Sequence, residues 1–413
     1  MSPIFPRYAA RNLREALEDS PATLIHGPRQ CGKTTLALHV GKARGYSYLS
    51  FDDEVVRSGA KADPIGFVQD LPERIILDEV QHVPELFSAL KLEIDKKRHP
   101  GRYILTGSTN ILLLPTLSDS LAGRMDVLRL HPLAQCEIEG SPSGFLNRLF
   151  NSQFKTQTVE RLGDELIQRI VAGGYPAALH RTSSTRRAAW YRDYLDTIVQ
   201  RDVRDLARIG SLDILPRLLT GVAGQTARLM NVSDLASPFQ VSRPTIKEYV
   251  SLLTRVFLIN ELPPWHNNRL SRLVKTPKLH VGDTGTCSSL LGISAADLKV
   301  DRTLLGQLLE TFVFQDIKRQ ANWYEQPLTL SHYRDRDGVE VDIVIEKGTR
   351  AVAGIEIKAS ASVSTKDFRG LKKLAAAVGN RFSSGVVLYD GETLTPFGDG
   401  LYAVPISALW QPD

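Results

Sequence analysis

Cysteine is scarce in this chain of 413 residues, and its three copies, Cys31, Cys136 and Cys287, stand far apart with no C-x-x-C pair. That spacing suggests neither a disulfide framework nor a zinc site. Long apolar runs are missing too, since none approaches the ~20 residues that a membrane span needs. The opening Met1-Ser2-Pro3-Ile4-Phe5-Pro6 lacks a signal-peptide pattern. The expectation is a protein of the reducing cytoplasm with no membrane partner. Internal repeats and low-complexity segments are absent as well. What remains is ordinary for a globular protein, with 42% hydrophobic and 23% charged residues. The length exceeds one core, so two or three domains are expected. A net charge of +5 and a pI near 9.0 permit nucleic-acid contact without demanding it.

One stretch organises the first third: Gly27-Pro28-Arg29-Gln30-Cys31-Gly32-Lys33-Thr34-Thr35. It fits G-x-x-x-x-G-K-[ST], with an apolar strand pattern (Thr23 to His26) leading in and a helix pattern (Thr34 to Val40) leading out. Glycines let the backbone curl so that successive N–H groups converge on phosphate oxygens at the positive end of the helix. Lys33 then reaches the β- and γ-phosphates, and the Thr34 hydroxyl holds Mg²⁺. The cofactors expected are therefore ATP and Mg²⁺.

The strand pattern Tyr46 to Phe51 ends in Asp52-Asp53, read as a helix cap in preference to a second shell for the metal. Further on, the apolar run Arg74-Ile75-Ile76-Leu77 ends in Asp78-Glu79. Asp78 at the strand tip suits the metal, and Glu79 beside it suits a base that polarises the attacking water. The next buried strand ends in small polar residues, of which Thr106, Ser108 and Asn110 are candidates for sensing the γ-phosphate, with Ser108 or Asn110 preferred. Arg124 precedes a fifth strand, Val127 to Leu130, and is a candidate for a phosphate of its own or a neighbouring subunit; a surface ion pair is the competing reading. Strands alternating with helices predict a parallel sheet between helices, with ligands at the carboxyl ends.

The runs Gly27 to Leu36, Leu77-Asp78-Glu79-Val80-Gln81, Leu105-Thr106-Gly107-Ser108 and Leu121-Ala122-Gly123-Arg124 resemble a large prokaryotic family of AAA-type ATPases. In that family the ATPase domain precedes a C-terminal region of uncertain function. The resemblance covers nearly the whole chain. It implies a strand between the P-loop and Asp78 strands, and it allows a homo-oligomer in which one subunit's arginine completes its neighbour's site. Cys31 stands where the family often has valine, which leaves nucleotide binding unaffected and adds a thiol open to oxidation.

From about Asn151 the pattern turns helical. Thr185 to Ile209 interleaves arginines 186, 187, 192, 201, 204 and 208 with Trp190, Tyr191, Tyr194 and Leu195, which reads as a solvated face or a nucleic-acid contact, with Arg201 an alternative lid residue. Val232 to Leu253 reads as two helices with a tight connection, Ser242 capping the second and Pro244 in its first turn. With Val256 to Leu262 as a wing strand, this is a winged-helix pattern, and Arg243, Thr245 and Lys247 would face duplex DNA. Pro263 to Asn268 is a natural junction. Beyond it, Asp342 lies on one strand pattern, and Glu356-x-Lys358 on the next, after a hairpin signal at Arg334 to Gly338. Glu356 and Lys358, two apart, share one strand face. The set resembles the PD-(D/E)XK nuclease core, which implies Mg²⁺ on Asp342 and Glu356, water activation by Lys358, and a contribution from Glu310. A half-exposed strand with alternating charges is the plainer account. No proline precedes Asp342, a departure from the usual pattern.

The expected architecture is thus α/β throughout. A P-loop NTPase (AAA-type) parallel sheet spans residues 1–150, a helical and winged-helix middle spans 151–265, and a restriction-endonuclease-like α/β domain spans 266–413. The expected function is an Mg²⁺-dependent ATPase whose nucleotide state controls a DNA-directed C-terminal domain that either cleaves duplex DNA or binds DNA or protein without cutting.

Overall fold

The three central strands of the first 130 residues, unlike the two edge strands, are buried along their whole length, and the computed structural model shows why. It describes residues 5–108, 123–203, 214–266 and 276–412, without the side chains of 201 and 202. Strands β1 (Ala22–His26), β2 (Ser47–Ser50), β3 (Ile75–Asp78), β4 (Tyr103–Gly107) and β5 (Met125–Arg129) pair in parallel in the order β2-β3-β4-β1-β5. Helices α1 (Ala10–Asp19), α2 (Lys33–Lys42), α3 (Glu54–Ala62), α4 (Pro64–Gln69) and α5 (Leu86–Lys96) accompany them. Successive strand residues enter opposite cores. Leu24, Leu77 and Leu105 pack with Phe51, Leu86 and Leu90, whereas Ile25, Ile76 and Ile104 pack with Leu13, Leu36 and Val40. Helices on both faces therefore account for the unbroken apolar runs, and each buried Leu or Ile contributes about 1.5–3 kcal/mol. Asp53 accepts the N–H groups of Val55 and Val56 and caps α3.

The chain divides into two compact units: Pro6–Leu133 with Arg255–Phe257, and a second holding Ala134–Thr254 and Leu258–Asp413. The second unit contains, in order, β6 (Gln157–Thr158), α6 (Ser184–Thr197), α7 (Ile214–Gly224), β7 (Arg228–Leu229), α8 (Val232–Ala236), α9 (Arg243–Arg255), β8 (Ile259–Leu262), β9 (Lys278–Val281), α10 (Thr284–Leu291) and α11 (Arg302–Ala321). Then come β10 (Leu328–Arg334), β11 (Glu340–Lys347), β12 (Ala351–Lys358), α12 (Arg369–Val378), β13 (Phe382–Tyr389), β14 (Thr393–Pro396) and β15 (Leu401–Pro405). Among the described residues, β7-β9-β8 form an antiparallel sheet, and a larger one runs β10-β11-β12-β13-β15-β14-β6. Strand β6, from the helical middle, pairs with β14 of the C-terminal part.

The hairpin joining β10 to β11 closes where the sequence signals it. The Asp335 carboxylate accepts the N–H groups of Asp337 and Val339, and Gly338 takes φ 75°, the left-handed region that favours glycine. From β12 the chain crosses through α12 to β13, which lies parallel to β12. Ser242 caps α9 by accepting the Thr245 N–H at 3.2 Å.

The aromatic residues of α6 are not free to stack on bases. Trp190, Tyr191 and Tyr194 are buried and pack with Tyr175, so their helical spacing marks a core face, while Arg186 and Arg192 stay exposed. Asn110, Leu121, Ala122, Arg204, Arg208, Asn267, Asn268 and the Arg201 side chain lie outside the described residues. No helix among the described residues is long and apolar enough to cross a membrane.

Asp283, to which the sequence assigns no role, is the polar centre of the second unit. Its Oδ1 accepts from Tyr191 OH and from the N–H groups of Gly285 and Thr286, capping α10. Its Oδ2 accepts from Gly174 N at 2.7 Å and from the Arg319 guanidinium at 3.0 Å. Both charged partners are buried. Removing one member of a buried pair leaves an uncompensated charge that costs about 3–5 kcal/mol. Asp283→Ala should therefore lower unfolding stability in denaturant by about that much; a loss below about 1 kcal/mol would contradict this role.

Candidate functional site

The glycines of the first unit are placed by close approach and by dihedral. A Cβ at Gly27 would overlap the Leu130 carbonyl oxygen, and Gly32 takes φ 101° just before α2. Lys33 is buried at the start of α2, and its Nζ donates to Pro28 O at 2.9 Å, across the loop. Pro28 is buried, Arg29 half-buried, and Gln30 and Thr35 exposed. Cys31 is fully buried, with Sγ 3.5 Å from Leu130 O, and burial pushes its thiol up from the ordinary value. An oxidisable Cys31 is thus corrected, because a thiol without solvent or thiolate character is inert.

Strand order brings the acidic tip to the loop. Strand β4 lies between β1 and β3, so Asp78 at the end of β3 and the polar end of β4 stand at the same carboxyl edge as the loop after β1. Thr34 Oγ1 donates to Asp78 Oδ1 at 2.8 Å, and Tyr48 OH donates to Asp78 Oδ2 at 2.9 Å. The Tyr48 phenol is pushed up to about 12 by burial and by the Asp78 charge. Thr106, one of the candidate sensors, donates to Asp78 and accepts the Glu79 N–H at 3.1 Å. Its hydroxyl is thereby committed to holding the Asp78-Glu79 pair. Oxygen donors of a hydroxyl and a carboxylate 2.8 Å apart fit a hard cation such as Mg²⁺.

Glu79 takes φ 56°, ψ 46°, a left-handed backbone that costs a non-glycine residue about 1–2 kcal/mol. Its carboxylate accepts from Gln81 Nε2, which also donates to Ser108 Oγ at 3.0 Å. Burial alone would raise the Glu79 carboxyl. The Lys33 charge, the Gln81 hydrogen bond and the Arg29 charge outweigh burial and hold the carboxyl below its ordinary value. A base kept ionised beside the loop lysine follows.

Arg124 stands elsewhere. Met125 pairs with Ala22 and Arg129 with His26, so Arg124 precedes β5 at the amino edge of the sheet, opposite the loop. About 16 Å of strand separates it from the loop, beyond the reach of one arginine. Its guanidinium holds Asp95 in a two-point ion pair, at 2.6 and 2.9 Å. The competing surface-pair reading describes its contacts, and only a neighbouring subunit's site remains open to it. Arg129 is at the carboxyl edge, half-buried, with its guanidinium over the Phe257 ring at 5.1 Å.

In the second unit the residues singled out by sequence fall into two neighbouring sets: Glu310 and Asp342 meet at Lys278, and Glu356 meets Lys358. The β11–β12 pairing runs to Ile343 opposite Ile355, and the next residues along are Asp342 and Glu356. Asp342 Oδ2 accepts the Ile357 N–H at 2.9 Å. Lys358 Nζ donates to Glu356 Oε1 at 2.8 Å, while Glu356 Oε2 is buried without a partner. Lys278 of β9, 4% exposed, lies 2.8 Å from Glu310, 3.2 Å from Asp342 and 3.7 Å from Glu340. Burial, then the Asp342 charge, pushes both Glu310 and Glu356 above the usual carboxylate range. Burial would lower Lys278, and the Asp342 and Glu310 charges raise it instead, so its ammonium stays charged. Sequence reasoning missed Lys278, Gln81 and Tyr48. The one signal for Lys278 was a lysine at the head of the short strand pattern Lys278-Leu279-His280-Val281.

Residues 19–139 match the family described as AAA domain. Residues 163–297 match a domain of unknown function (DUF8612), and residues 305–409 match a domain of unknown function (DUF4143). The chain is 30% identical over 405 residues to the uncharacterized protein Rv2008c of Mycobacterium tuberculosis and to the uncharacterized protein Mb2031c of Mycobacterium bovis, covering 98% of this chain and 84% of each relative. Among solved structures, the Walker-type ATPase PABY2304 of Pyrococcus abyssi is 18% identical, covers 70% of this chain and 96% of its own, and gives a TM-score of 0.45. The RuvB Holliday junction branch migration motor of Thermotoga maritima is 17% identical, covers 63% and 90%, and gives a TM-score of 0.30.

His26, at the end of β1, supplies a pH test of the first unit. Burial, with Arg129 and Lys33 nearby, lowers it to about 4 from 6.5. Its folded pKa lies below the unfolded one, so the unfolded chain takes the proton first. The stability from neutral His26 is complete above pH about 6.5 and is lost as the pH falls towards about 4. His26→Gln should flatten the loss of unfolding stability over that window; an unchanged slope would contradict a neutral buried imidazole.

Proposed function

The chain belongs to the family of Rv2008c, P-loop ATPases that join an AAA domain to a C-terminal DUF4143, and from that premise we propose that it hydrolyses ATP with Mg²⁺ and uses the cycle to switch its second unit. The observation that carries this reading is the meeting of Thr34, Asp78 and Glu79 at one edge of the sheet, beside Lys33. Lys33 and the N–H groups of Arg29, Gln30, Cys31, Gly32, Thr34 and Thr35 would cradle the phosphates, while Gly27, whose N–H donates to Gly107 O at 3.3 Å, shapes the turn into the loop. Thr34 and Asp78 would hold Mg²⁺, which when bound supplies charge neutralisation at the transferring phosphoryl group. Glu79 takes a proton from the attacking water, and Gln81 with Ser108 keeps its carboxylate aimed. Arg124 is proposed to act on a neighbour's phosphate in a homo-oligomer.

Duplex DNA is the proposed partner of the second unit. Its order α7, β7, α8, α9, β8, β9, with the sheet β7-β9-β8, supports a winged helix, and Arg243 and Lys247 are exposed on α9. The β10-β11-β12 meander followed by α12 and parallel β13 supports a PD-(D/E)XK-like fold. Proximity of Asp342, Glu356 and Lys358 favours cleavage, whereas Lys278 among the carboxylates favours a fold that binds without cutting, and we adopt the latter.

Lys33→Ala should abolish ATP binding. Glu79→Gln should still bind ATP and lower steady-state hydrolysis by about 10²–10⁴-fold, a parental rate removing Glu79 as the base. Duplex DNA should stimulate the parent's hydrolysis, and an unaltered rate at low salt would remove DNA as the partner.

A further inference from the structure

A divalent ion in the second unit's carboxylate cluster would need the space and the oxygen atoms that Lys278 already takes. Its ammonium is buried on β9 and reaches Glu310 of α11 at 2.8 Å and Asp342 of β11 at 3.2 Å, with Glu340 at 3.7 Å. Mg²⁺ or Mn²⁺ requires about six oxygen ligands near 2.1 Å, and an ammonium in hydrogen-bond contact with two carboxylates excludes such a shell and repels a second cation. Among the described residues no group of three or more His, Cys, Asp or Glu side chains is disposed to hold a metal. The residues therefore do not fit the metal that a PD-(D/E)XK-like fold implies.

We propose that the Lys278 ammonium is the built-in counter-cation of this cluster, standing in place of a divalent metal and leaving the C-terminal domain a metal-independent binding module. The inference rests on the nuclease-like reading of the fold. Geometry adds a structural consequence. Three elements distant in sequence, β9, α11 and β11, meet on one charge, so the same lysine that blocks a metal also clamps the smaller sheet to the larger one. Neutralising Lys278 would leave Glu310, Asp342 and Glu340 facing one another, and a divalent cation is then the group that restores balance.

The test uses the full chain without nucleotide, with melting temperature and Mn²⁺ binding by equilibrium dialysis read in EDTA and in Mn²⁺. Parent and Asp342→Asn should bind the same amount of Mn²⁺. Lys278→Met should melt lower than the parent in EDTA, recover most of that loss in Mn²⁺, and bind one more ion per chain, which Lys278→Met with Asp342→Asn should lose. Mn²⁺ bound by the parent and lost in Asp342→Asn would overturn the inference and leave the nuclease-like reading standing. A folded Lys278→Met that binds no extra Mn²⁺ would overturn the inference and leave standing the nuclease-like reading of the fold, which rests on the β10 to β13 topology. Should Lys278→Met fail to fold, the comparison of parent with Asp342→Asn decides alone.

Discussion

Parallel pairing of β4 with both β1 and β3 is the constraint on which the nucleotide site depends. Because the three strands run the same way in register, the loop after His26, the carboxylates after Leu77 and the hydroxyls at the end of β4 emerge at one edge. The hydrogen bonds there are consequences of that register: Thr34 on Asp78, Thr106 on Asp78 and on the Glu79 N–H, Gln81 between Glu79 and Ser108. The same register removes Arg124 from its own site by placing it at the opposite edge. Apolar residues alternating into two cores hold the sheet, and so hold the site.

The second unit depends instead on charges buried in pairs. Asp283 joins the Gly174 turn, α6 through Tyr191, α10 and α11 through Arg319, and Lys278 joins β9, α11 and β11. Buried pairs of this kind are poor sources of net stability, because desolvation offsets most of the attraction, yet losing one partner is costly. Their effect is to specify which elements meet. Lys278 and Asp283 lie on one short stretch, so a few residues from the start of β9 to the cap of α10 fix much of the packing around α11.

Much of the first unit was legible because its motifs are local. The loop glycines, Lys33 and Thr34 are adjacent in sequence, and an apolar strand ending in Asp78-Glu79 carries its own signal. Interactions closed across the chain were not legible. Nothing near Lys278 announces Glu310 or Asp342, and Gln81 acquires its role only once β4 lies beside β3. The Trp190, Tyr191 and Tyr194 series left two readings open for another reason: aromatic residues at helical spacing beside arginines look alike in a core and on a binding face, and only burial separates them.

What distinguishes a nucleotide switch with a closed C-terminal site from an ATP-controlled nuclease is whether DNA is cut. Linear and supercoiled DNA, incubated with Mg²⁺ or Mn²⁺ in the presence and absence of ATP, should remain intact with the parent protein. Cleavage by the parent that disappears in Asp342→Ala would contradict the account, and its dependence on ATP would show the two sites to be coupled.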